Sequence, residues 1–115
     1  MSLDDPRDPA WGPRARDLFV RFRDLARAQI NPRVADHDAR RAFDRASFRA
    51  LGEAGLCGLG VDDLSGLLAA LEGLATGCDD AGFVVSVVAH AGVAVPVVHA
   101  FGSPAVRARW GEGMA

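Results

Sequence analysis

The sequence predicts an all-α fold, a helical bundle of orthogonal or up-down arrangement, and three observations carry that reading. Apolar residues recur at steps of three or four from Phe19 to Val34 and again from Leu64 to Ala75. Residues suited to starting a helix recur along the chain: Pro13, Asp44, Asp62 or Asp63, and Ser103 with Pro104. The one strand-like stretch, rich in valine, has no internal turn signal before Pro96 and no sheet to join. At 115 residues, half of them apolar, the chain can bury a single core without disulfide or metal staples.

Residues 1–12 combine prolines, a glycine and charges, and are expected to form a flexible lead-in to a domain over residues 13–115. Pro13 suits a first helical turn, and Phe19, Phe22, Ala26, Ile30 and Val34 then repeat on one face, with His37 closing the series. Pro32 removes a backbone donor, so a kink or break is expected near residues 29–31. Asp44 caps a second helix with Phe48 and Leu51 inward, and Gly55 stops it. Residues 56–61, Leu-Cys-Gly-Leu-Gly-Val, read as a glycine-spaced apolar connector. Asp62 or Asp63 caps a third helix with Leu64, Leu67, Leu68, Leu71, Leu74 and Ala75 on one stripe, ended by Gly77.

Residues 81–101, AGFVVSVVAHAGVAVPVVHAF, contain no charge. The length suits a membrane span. His90, His99, Ser86, Pro96 and the preceding pair Asp79-Asp80 argue against one, and a helix apolar on all sides suits the centre of a bundle. A buried helix is therefore expected from Asp79 to about Val95, with Pro96 opening a shorter one. A last helix is capped at Ser103.

Composition excludes several functions. All 13 basic residues are arginine, so Schiff-base lysine chemistry and a Walker-type phosphate loop are absent. Eleven of the arginines fall in residues 1–49, but eight acids are interleaved with them, which favours a solvated helix face over nucleic-acid binding. Cys57 and Cys78 form no metal or redox motif; both read as core thiols in a reducing, cytoplasmic setting, and burial should raise the pKa of Cys57. The start, MSLDDPRDPAWGP, is polar and acidic, and no secretory signal is expected from it. His90 and His99 lack metal-ligand spacing, and no GxGxxG or GxSxG motif occurs.

The order of these signals resembles one family. The stretch DLARAQINPRVADHDARRAFDRASFRALGEAGLCGLGV, residues 24–61, is similar to the opening of the acyl-CoA dehydrogenases. It holds the helix with an internal proline (Pro32), the pair His37-Asp38, the aromatic Phe43, the short helix, and the signature Gly55-Leu56-Cys57-Gly58-Leu59-Gly60-Val61. The resemblance continues through a glutamate-bearing helix (Glu72), an acidic N-cap, a central helix with Ser86 and His90, and a closing Phe101-Gly102-Ser103 turn with Arg107, Arg109 and Trp110.

Two departures stand out. Val61 runs almost directly into Asp62-Asp63-Leu64, where relatives carry a longer loop that helps shape the substrate entrance. Residue 115 falls where the family passes into its middle β-domain. That β-domain and the C-terminal helical domain are expected to be absent here, the chain stopping at a domain seam.

The resemblance implies an FAD-dependent flavoenzyme that introduces an α,β double bond into an acyl thioester, an acyl-CoA or acyl-carrier conjugate. In such enzymes FAD sits in a cleft built by all three domains, and a glutamate takes the α-proton while hydride passes to the flavin. None of Glu53, Glu72 and Glu112 falls on the segment that carries the base in relatives, so no catalytic residue is assigned. By resemblance Val85, Ser86, Ala89, His90 and Val93 line the acyl-chain end of the pocket. Their spacing also places them on one helical face, small or apolar enough to hold an alkyl chain. Core packing against neighbouring helices explains the same pattern and is favoured for most of these positions. His90 is the candidate polar contact to substrate; His99 reads as a rim histidine with one hydrogen bond, and His37 as support for a helix end.

The implied partners are a chain carrying the middle and C-terminal flavoenzyme domains, or further copies of this chain as a homo-oligomer, with no nucleic acid and no membrane span. FAD is expected only together with those domains. Two other readings compete: a non-catalytic helical module that self-associates through its exposed apolar face, and a part of a related flavin-dependent monooxygenase.

Overall fold

The computed structural model describes residues 11–115. Residues 1–10 of the expected lead-in lie outside the described residues. Helix accounts for 85% of the described residues and no strand occurs among them, so the all-α prediction holds.

Helix α1, residues 13–39, starts as expected with proline in its first turn. Pro32 does not break it. The helix widens to π-winding over Ala26–Ile30 and resumes as Asn31–Ala39. The carbonyl that Pro32 would clash with belongs to Ala28, inside the wide turn, so the ring is accommodated without a break. The wide turn also holds Phe22, Ala26, Ile30 and Val34, spaced by four, on one inward line; an unbroken α-helix would let that spacing drift around the axis.

Arg41, at φ 51°, turns the chain out of α1. The amides of Arg41 and Ala42 donate to the carbonyls of Asp38 and His37, closing a Schellman cap without glycine. Helix α2, Arg45–Glu53, follows, capped by Asp44 through the Ser47 amide. Gly55, at φ 89°, ends it as predicted, since a side chain is strained there.

The expected connector is instead helix α3, Leu56–Asp62. Leu56 and Cys57 are buried, and internal helical bonds satisfy a backbone that would otherwise be buried unpaired. Gly60 lets α3 approach its neighbour: a Cβ there would stand 2.6 Å from the Ala91 carbonyl oxygen.

Helix α4, Leu64–Gly77, is capped by Asp63, whose carboxylate accepts from the Gly66 amide. Its inward face is not the predicted leucine stripe. Leu67, Leu71 and Leu74 are buried, but Leu64 and Leu68 are 67% and 59% exposed, and Ala75 is exposed. Gly66, Ala69, Ala70, Gly73 and Gly77 turn inward instead. The cause is the crossing with α1, where Gly73 and Gly77 lie directly on the backbone of Phe19 and Arg23. Asn31 bolts this crossing, donating to the Gly77 carbonyl at 2.8 Å and accepting from the Asp79 amide at 2.9 Å.

Helix α5, Ala81–Phe101, is capped by Asp80 and runs unbroken through Pro96. A second π-wound stretch, Val88–Ala94, precedes this proline as well and contains its clash partner Gly92. The helix is not buried all round. Phe83, Val87, Ala91 and Val95 face the core, while the opposite side is open. By length and composition α5 could cross a membrane, but its inner line packs on α3 and α4. Helix α6, residues 104–114, is capped by Ser103 with Pro104 in first position, as predicted, and folds back onto α5. The molecule is a slab of 42 × 40 × 19 Å, about two helix diameters thick.

Candidate functional site

The outward side of α5 is the feature that packing does not explain. Val85, Val93, Val97 and Phe101 are 67%, 58%, 49% and 85% exposed, and Ala81 and Ala89 are exposed between them. They repeat every four residues, offset by two from the core line, and the same π-winding keeps both lines straight. Of the residues singled out from the sequence, Val85, Ala89 and Val93 come together on this stripe. Val97 and Phe101 extend it. The expected break at Pro96 hid them, although their spacing by four was readable.

Ser86 and His90 lie on its flank with their polar atoms engaged. The Ser86 hydroxyl donates to the Gly82 carbonyl at 3.0 Å. His90 Nε2 donates to the Met114 carbonyl at 3.0 Å, with the Phe48 ring edge-on at 5.3 Å. Both bonds turn these groups toward backbone. His99 holds α6 through the Gly111 carbonyl at 3.2 Å, the single bond expected of it.

His37 belongs to a different cluster at the α1–α2 corner. Its Nε2 lies 3.3 Å from an Arg33 guanidinium nitrogen and 3.5 Å from Asp44, while its Nδ1 is buried without a partner among the described residues. Arg33 donates to both Asp44 oxygens, at 2.8 and 3.1 Å. Sequence reading found Asp44 as a cap and missed this pairing.

Burial raises the pKa of Cys57, as expected, and of Cys78. Neither thiol is primed as a nucleophile. No group of three His, Cys, Asp or Glu residues among those described could hold a metal.

One family description covers nearly all the described residues. The description "Acyl-CoA dehydrogenase, N-terminal domain" matches residues 13–115. The chain belongs to the acyl-CoA dehydrogenase family. No curated protein and no solved structure matches it significantly.

This family is generally FAD-dependent. A flavin dinucleotide does not fit the described residues of this acyl-CoA dehydrogenase domain by themselves. Four of the grooves among the described residues are open and of about 320 to 430 Å³. That is small for a ligand whose site must cover most of its surface. The glycine-rich stretch Leu56–Asp62 is a short helix beginning at buried Leu56 and Cys57, and so offers no open glycine loop to a pyrophosphate.

Proposed function

We propose that these residues are the first helical domain of an FAD-dependent acyl-CoA dehydrogenase, and that the outer stripe of α5 forms one wall of its acyl-chain channel. One observation supports the reading most: a line of small and β-branched side chains, uncharged over 21 residues, stands open on a domain of this family. An alkyl chain gains from dry apolar contact and needs no polar partner, which is what Val85, Ala89 and Val93 offer. Ser86 and His90, on the flank, are placed to meet more polar parts of an acyl thioester once their backbone bonds exchange. The domain supplies wall and shape. The base and the flavin cradle come from further domains of the enzyme, on the same or another polypeptide.

The test is assembly with the middle and C-terminal domains, followed by activity on acyl-CoA thioesters of graded length. Replacing Val93 by Phe should shorten the longest chain accepted while leaving short substrates unaffected. An unchanged length profile would remove α5 from the channel.

A further inference from the structure

Helix α6 contributes almost nothing to the core. Of residues 104–114 only Gly111 is buried and Met114 half-buried, and the rest stand in water. Two extended residues, Gly102 and Ser103, join α6 to α5, and it packs on the last stretch of α5, Val95–Phe101.

What holds α6 in place is largely polar. The last four carbonyls of a helix have no partner inside it. Histidines of α5 take two of them in α6. His99 Nε2 donates to the Gly111 carbonyl at 3.2 Å, and His90 Nε2 donates to the Met114 carbonyl at 3.0 Å. Gly111 lies against the His99 ring, where a Cβ would stand 3.5 Å from Cε1. The end of α6 borders a groove of about 320 Å³, lined by Phe48, Cys57 and His90 as well as by Met114. Met114 packs on the core there, and Cys57 is 5% exposed.

We propose that α6 is a strap, hinged at Gly102-Ser103 and latched by His99 and His90, that opens without unfolding the rest of the domain. Few buried apolar contacts and an exposed backbone mark a segment that opens at less cost than global unfolding. Each latch is a donor–carbonyl bond whose two ends water can satisfy once they part. Closed, the strap sets the Met114 carbonyl on the His90 proton and helps cover Cys57. Opening frees both at once. The closed strap is thus an autoinhibitory contact, in which the chain's own carbonyl occupies the donor that an acceptor oxygen of a ligand would use. That consequence for a ligand rests on the channel reading of α5; the strap itself does not.

The experiment compares the 115-residue chain with His99→Leu and His99→Gln. Amide hydrogen exchange and alkylation by iodoacetamide are both read peptide by peptide, which separates Cys57 from Cys78. Leucine removes the latch donor, whereas the glutamine amide nitrogen reaches about as far as Nε2 and keeps it. In the unaltered chain the amides of residues 109–114 should exchange roughly tenfold or more faster than those of Leu67–Leu74 in α4. His99→Leu should raise both that exchange and the alkylation of Cys57 by about three- to tenfold, with Leu67–Leu74 unchanged. His99→Gln should stay near the unaltered rates. Exchange of 109–114 in step with α4, or a gain in His99→Leu that α4 shares equally, would make the domain one cooperative unit and overturn the proposal. Faster exchange without faster alkylation of Cys57 would reduce it to a fraying helix end, and a glutamine variant no better than leucine would remove the latch. Neither flavin nor substrate enters this test, so its failure leaves the channel reading standing, and an unchanged length profile in Val93→Phe leaves the strap.

Discussion

Asp44 shows how much one side chain can fix. It is 7% exposed and accepts from two Arg33 nitrogens, from the Ser47 amide at 3.1 Å and from the Ser47 hydroxyl at 2.6 Å. Four bonds fill a carboxylate's capacity. The Arg33 guanidinium first, and the two Ser47 donors after it, outweigh desolvation and hold the carboxyl well below the usual carboxylate range. A depressed folded pKa means that this stabilisation is fully present above about pH 4 and is lost as pH falls toward the depressed value. Asp44→Asn should therefore lower stability at neutral pH by about 1–2 kcal/mol and flatten the fall of stability below about pH 4. Denaturant titrations across pH measure both; an unchanged acid limb would refute the assignment. The figure is kept small because Arg33 is itself 45% exposed. Arg41 is the opposite case, a side chain where glycine belongs. Its positive φ within a Schellman cap predicts that Arg41→Gly stabilises the protein by about 0.5–1 kcal/mol, visible as a raised melting temperature.

At the scale of the element, packing follows a repeat of four residues that the π-turns keep straight. Leu74 is fully buried and Leu68 is 59% exposed, although both were placed on one stripe. Leu74→Ala should cost about 2–5 kcal/mol and Leu68→Ala less than about 0.5 kcal/mol, read from chemical denaturation. Similar costs would contradict the orientation of α4. These cases show what the sequence makes legible. Caps depend on one residue and its near neighbours, so Asp44, Gly55 and Ser103 could be read directly. The inward face of α4 depends on a partner: Gly73 and Gly77 become core because the α1 backbone lies on them, which no local pattern states. Pro96 misled for a related reason, and Pro32 marked a change of winding rather than a break, since wide turns upstream absorb both prolines. The segment Leu56–Asp62 reads as a connector by its glycines and becomes helix because it is buried against α4 and α5. Of the candidate site, Val85, Ala89 and Val93 were legible by spacing, whereas the engagement of Ser86 and His90 with backbone carbonyls is set by packing geometry.

For the whole molecule, the slab shape is the main fact. Two helix layers bury one core and leave a broad face lined by α5 with no charge along it. The functional account rests on that face being a wall completed by other polypeptide. The most direct measurement is the flavin absorbance of the purified 115-residue chain, alone and after assembly with the middle and C-terminal domains of the family. The account predicts a colourless chain and a yellow assembly with one flavin per domain set, which Val93→Asp disrupts. Flavin retained by the chain alone, or an assembly indifferent to Val93→Asp, would contradict it.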